Sequence, residues 1–130
     1  MIIAIVGTSN LTIDESEEVA RWVESKLRDE DIQVVTGDAD GVDKVARLYT
    51  PRHRLIVKKS EHKEWGTDGS GGYKDRNREI AQTAEYVYCF TTRTKTKDCY
   101  HCNKTHQRTG GCWTLKEALK LGKKGEVIVV

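Results

Sequence analysis

Residues 2–10, Ile2-Ile3-Ala4-Ile5-Val6-Gly7-Thr8-Ser9-Asn10, decide how this chain folds. An unbroken apolar run that stops at a glycine and passes into small polar residues describes a strand buried on both faces. The turn that follows leads into a helix. Thr12 or Asp14 can cap it, and Glu15 or Glu17 stands three residues on as the reciprocal partner. Val19, Trp22, Val23 and Leu27 then recur at helical spacing.

The same alternation repeats along the chain. Ile32 to Thr36 reads as a second strand stopped by Gly37, and Val42, Val45, Ala46 and Tyr49 mark a second helix ended by Pro51. Leu55-Ile56-Val57 is a short third strand. Ser60 to Lys74 is a polar, glycine-rich loop, long enough to suggest function. Asp75 to Ala84 reads as helix and Tyr86 to Phe90 as the fourth strand. Thr114 to Leu121 reads as the last helix, closed by Gly122, and Val127 to Val130 as the last strand. Strands alternating with helices imply an α/β fold, a mostly parallel sheet of about five strands with helices on both faces. The reading is one domain over residues 1–130, with 91–112 as a small insert.

That insert carries the second signal. Cys99, Cys102, His106 and Cys112 follow the spacing C-x2-C-x3-H-x5-C. Two thiolates two residues apart can grip one metal ion while the backbone turns round it, and two further donors close a tetrahedron suited to structural zinc. An all-cysteine set that includes Cys89 competes with this, as does His101 in place of His106. The plain alternative is free thiols or disulfides. Disulfide scaffolds belong to small secreted chains, whereas the apolar start here is one strand long, without a cationic leader or cleavage site. The expectation is a cytoplasmic protein, and there the spacing favours metal.

Composition narrows the partners. Net charge is +2 with 32% charged residues, so the surface is mixed rather than a polyanion-binding face. Nucleic acid is therefore not expected as the main partner, except through Arg93, Lys95, Lys97 and Arg108 near the insert. No apolar run reaches membrane-spanning length.

In a parallel sheet, ligands bind beyond the carboxyl ends of the strands. Three polar loops converge there: Gly7-Thr8-Ser9-Asn10, Thr36-Gly37-Asp38-Ala39-Asp40-Gly41, and Gly110-Gly111 before the last helix. Glycines let backbone approach a phosphate, and hydroxyls add donors. Neither G-x-G-x-x-G nor G-x-x-x-x-G-K-[ST] occurs. Trp22 reads as core, Tyr86 and Tyr88 as strand packing, and Trp65 as a lid over a base.

These segments resemble the SLOG superfamily, the Rossmann-like domains that include the Lonely Guy (lysine-decarboxylase-like) phosphoribohydrolases and DNA-processing protein A. Val6-Gly7-Thr8-Ser9 is similar to the family's first phosphate-side loop. Thr36-Gly37-Asp38-Ala39-Asp40-Gly41-Val42-Asp43 is similar to an S-G-G-A-D-G-V-D signature, and Trp65-Gly66 with Arg76-Asn77 to its W…G…R-N segment. Gly110-Gly111-Cys112-Trp113-Thr114-Leu115-Lys116-Glu117 follows the hydrolases' P-G-G-x-G-T-x-x-E, with Thr109 for the proline and Trp113 for the third glycine. A tryptophan there would wall off the phosphate cradle.

The resemblance implies a Rossmann-like three-layer sandwich and a nucleotide-like small-molecule ligand. Its site would comprise Gly7, Thr8, Ser9, Gly37, Asp38, Asp40, Gly41, Asp43, Arg76, Asn77, Gly110, Gly111 and Thr114. It also implies Arg76 and Glu117 as the catalytic pair of an N-glycosidic hydrolase acting on a nucleoside monophosphate. A fixed carboxylate would stabilise the sugar's developing positive charge, and the arginine would hold phosphate. The plain readings are an Arg76–Glu79 pair along one helix and a surface Glu117 beside Lys116 and Lys120. Relatives of this fold class pair through helices, so a homodimer is expected.

Overall fold

The computed structural model describes residues 1–93 and 110–130. In chain order the elements are β1 (Ile2–Gly7), α1 (Ile13–Lys26), β2 (Gln33–Thr36), α2 (Val42–Tyr49), β3 (Leu55–Val57), α3 (Tyr73–Thr83), β4 (Tyr86–Thr91), α4 (Gly110–Lys120) and β5 (Lys124–Val129), with one 3-10 turn at Arg52–Arg54. The five strands form one parallel sheet in the order β3-β2-β1-β4-β5. The chain winds outward from β1 to β3, then crosses back over β1 to place β4. That reversal opens a crevice between the carboxyl ends of β1 and β4.

Alternation along the strands sorts the core into two layers. Ile3, Ile5, Val34, Tyr88 and Phe90 face α1 and α2, where Val19, Val23, Val42 and Ala46 meet them. Ala4, Val6, Val35, Val87 and Cys89 face α3 and α4, meeting Ile80, Ala81, Leu115 and Ala118. Side chains two residues apart share a face of a strand, so each central strand feeds both layers. Trp22 packs edge-on to Tyr88 and Phe90, with ring centroids 4.6 and 5.0 Å away. The sandwich is three-layered and Rossmann-like.

Two elements begin three or more residues earlier than the sequence reading has them. The last helix begins at Gly110, four residues before Thr114, so Gly110-Gly111 forms the helix's first turn rather than a preceding loop. Glycine is a poor helix former, but position 111 has a packing reason for it. A Cβ there would lie 2.9 Å from both Cys89 Sγ and the Gly7 backbone. The last strand begins at Lys124 rather than Val127, because an edge strand tolerates charged Lys124 and Glu126.

Of the expected insert 91–112, Thr91 belongs to β4 and Gly110, Gly111 and Cys112 to α4. Cys99, Cys102 and His106, with the alternative His101, lie outside the described residues. Among the described residues no helix is long and apolar enough to cross a membrane.

Candidate functional site

Four segments meet at the switch point around a cavity of about 560 Å³. Val6, Gly7, Thr8, Ser9 and Asn10 line it from the end of β1, and Asp38, Ala39, Asp40 and Asp43 from the end of β2 and the start of α2. Lys63, Trp65, Tyr73, Arg76 and Asn77 come from the long loop and α3, and Gly111 and Thr114 from α4. Loops from distant parts of the chain converge here because all the strands are parallel and end on one edge.

The walls are cross-braced. Gly41 caps α2 at φ +69°, a left-handed conformation that side chains rarely adopt, and it packs on the carbonyl of Thr8. The Val42 N–H donates to the same carbonyl at 3.0 Å, tying the first loop to the second. Arg47 reaches back from α2 to donate to the Gly37 and Ala39 carbonyls at 2.7 and 2.8 Å. A side chain thereby replaces the hydrogen bonds that a loop lacks.

Arg76 sits at the centre, buried within the first turn of α3. Its guanidinium donates to Asp38 Oδ1 at 2.7 Å and to Asn77 Oδ1 at 3.0 and 3.2 Å, and it lies 4.7 Å from the centre of the Tyr73 ring. Burial works to raise the Asp38 carboxyl, but the hydrogen bond and charge of Arg76 outweigh it and hold the group below its usual range. Asp43 differs. It is only 4% exposed, and burial pushes it up to about 6, against the opposing pull of Arg76, the Ala39 N–H and Arg47. Both acid and base crowd Gly37, where a Cβ would lie 2.5 Å from Asp43 Oδ2 and 3.1 Å from Arg76 Cζ. Glycine at 37 leaves room for that cluster.

The structure thus brings together Gly7, Thr8, Ser9, Asp38, Asp40, Asp43, Arg76, Asn77, Gly111 and Thr114, all on the cavity lining. Gly37 and Gly41 stand behind it as spacers. Gly110 belongs to α4. Glu117 is not on the lining: its carboxylate lies 3.2 Å from Lys120 and 3.6 Å from Arg78. The plain Arg76–Glu79 pair is not formed, since Arg76 turns to Asp38.

Trp113 does not wall off the cradle. It packs edge-on against Trp65 with centroids 5.0 Å apart, outside the lining. Asn10 of the first polar loop also lines the cavity, and Lys63 and Tyr73 of the long loop and α3 join it without a mark of their own in the sequence reading. Tyr73 was within reach of the sequence: it stands three residues before Arg76, and that spacing puts two side chains on one helix face. Nothing local marks Lys63.

Cys112 lies buried in α4 with its Sγ 3.7 Å from Cys89 Sγ. Among the described residues no group of three metal-ligating side chains gathers.

No family model matches the chain, and no curated protein matches it. A solved structure of similar fold is DNA processing protein A from Helicobacter pylori, described for its unique single-stranded DNA binding mode, at TM-score 0.69 and 17% identity. The match covers 98% of this chain and 64% of that one, so this chain spans under two thirds of its neighbour's length. At that identity the likeness shows the fold.

Proposed function

We propose that the cavity binds a nucleotide or nucleotide-derived ligand. The observation that carries this reading is the buried, fully braced Arg76 at a topological switch point. It faces a rim of small polar side chains and backbone from three βα connections. Asp40, exposed on the lining, suits a ribose hydroxyl, and Lys63, the other cation among the described lining residues, suits a phosphate. The fold neighbour's single-stranded DNA adds a strand as another source of the same chemistry. Hydrolysis is the weaker reading, because Glu117 is held by two cations away from the lining.

Thermal melting with AMP, other nucleoside monophosphates and a short single strand tests this. A ligand at a hundred times its Kd adds about 2.7 kcal/mol to stability, and Arg76→Ala should abolish that gain. A panel that leaves the melting curve unmoved rejects the assignment. Release of free base from the same monophosphates would restore the hydrolase.

We also propose structural zinc, on the spacing of Cys99, Cys102, His106 and Cys112. Two thiolates on one tetrahedral zinc stand about 3.8 Å apart, given metal–sulfur bonds of about 2.3 Å. The Cys89–Cys112 pair at 3.7 Å fits that spacing, which supports the competing set that includes Cys89. Metal analysis should give about one zinc per chain. Loss in Cys99→Ser and Cys112→Ser with retention in Cys89→Ser selects the first set, and loss in Cys89→Ser as well selects the all-cysteine set. Protein purified under reducing conditions without metal ends the proposal.

A further inference from the structure

Trp65 is 42% exposed, and among the described large hydrophobic side chains left that open it alone lines the cavity. An open aromatic face on a polar cavity offers a planar ligand a surface on which to stack. This one is held in place. Trp113 meets its ring at 89°, the Arg78 guanidinium lies 5.7 Å from the centre of the Trp113 ring, and Arg78 is held by Asp68 at 3.0 Å and Glu117 at 3.6 Å.

The backbone is fixed as well. The Tyr73 N–H donates to the Glu64 carbonyl at 2.8 Å and the Lys74 N–H to the Trp65 carbonyl at 2.9 Å. Asp75 accepts from the Gly69 and Gly71 N–H groups at 3.0 and 2.7 Å, closing the glycine-rich loop on the start of α3. Tyr73, whose ring carries Arg76, also lines the cavity. Trp65 and Tyr73 are therefore two aromatic side chains tied to one another's segments by backbone hydrogen bonds, and both line the cavity, to which Thr8, Ser9 and the Asp38–Arg76 pair supply polar groups.

We infer that Trp65 and Tyr73 form a stacking subsite for the unpaired base of the ligand, and that Glu117 is a positioning residue for it, acting through Arg78 and Trp113. The inference rests on the nucleotide reading above. A flat π-surface beside hydrogen-bonding groups matches a base joined to a sugar phosphate, and rings already fixed lose little freedom when a base stacks on them.

Titration calorimetry of the full chain with AMP, UMP, ribose 5-phosphate and a short oligodeoxyadenylate decides it. Trp65→Ala should weaken AMP at least tenfold and leave ribose 5-phosphate within twofold, while Trp65→Phe keeps AMP within about threefold. AMP should bind tighter than UMP, because a purine presents more π-surface. AMP binding as tight as the strand marks a free nucleotide as the source, and a much tighter strand marks single-stranded nucleic acid. Either supports the subsite if Trp65→Ala weakens it. Glu117→Gln should weaken AMP selectively and reduce the near-ultraviolet circular dichroism that Trp65→Phe removes; a variant that leaves that signal intact overturns the positioning role. If Trp65→Ala weakens AMP and ribose 5-phosphate equally, or neither, the stacking subsite is wrong and the pocket stands. If the wild-type chain binds none of the four, the nucleotide reading fails and the subsite falls with it.

Discussion

Helices α1 and α2 both follow a strand onto the carboxyl edge of the sheet, yet their first turns are built in opposite ways. The start of α1 is local. Thr12 Oγ1 accepts from the Glu15 N–H at 3.2 Å, and Glu15 Oε1 accepts from the Thr12 N–H at 2.8 Å. The start of α2 has no side-chain cap. Its Gly41 packs on Thr8, its Val42 N–H donates to Thr8, and Arg47 and buried Asp43 hold the loop before it. A turn closed by its own side chains has little left to offer a ligand, whereas one closed by distant chain shares its geometry with the cavity. Damage at α2 should therefore reach the ligand site, and damage at α1 should not.

The largest effect is expected at Gly41. Alanine there must take up φ +69° and drive its Cβ into the Thr8 carbonyl and to within 2.6 Å of the Ser9 backbone. Backbone strain and overpacking each cost about 1–3 kcal/mol, so Gly41→Ala should lose about 3 kcal/mol or more of stability. It should also lose the proposed nucleotide binding, because the first loop cannot stay put. Chemical denaturation together with titration of the folded fraction checks both. An unchanged affinity in folded Gly41→Ala would break the link between this turn and the cavity.

A medium effect is expected at Asp43, and it carries a sign. Its pKa is pushed from 3.8 to about 6 in the folded chain, so between those values the folded state holds a proton that the unfolded state has released. This contribution is complete below about pH 4 and is lost as pH rises through 6. Its size is of order 2–3 kcal/mol at one pKa unit per about 1.4 kcal/mol. Asp43→Asn should flatten that part of the stability profile between pH 4 and 7. If wild type and variant keep parallel profiles, Asp43 is not buried as described.

The same contrast explains what was legible in the sequence. The Ile2–Val6 run, the alternation along β4 and the Thr12–Glu15 box are local patterns, because hydrophobic period and capping act between residues a few positions apart. They gave the strand order its raw material and five parallel strands. The polar loops at the ends of β1 and β2 were also readable, and their residues do line one cavity. The Asp38–Arg76 pair spans 38 positions, and no local pattern selects Asp38 over Glu79 as the partner. The start of α4 was misplaced for the same reason. Gly110-Gly111 looks like a turn until Gly7 and Cys89 are seen to need the space beside Gly111. Trp113 was read from its place in a motif, and only the tertiary approach of Trp65 shows that it packs outside the cavity.

The smallest effect is expected at Thr12. Removing its hydroxyl opens one half of the box at an exposed helix start, a change worth about 1 kcal/mol. In a chain of this length that amounts to about 3–5 °C in Tm. Glu15→Ala should cost no more, and the double variant little beyond either single one, since each half of the box loses its purpose with the other. Nucleotide affinity measured well below Tm should stay within twofold of wild type in all three, because neither Thr12 nor Glu15 lines the cavity. A larger loss of affinity in Thr12→Ala would mean that the first turn of α1 also faces the ligand, and the division between a self-contained helix start and a shared one would not hold.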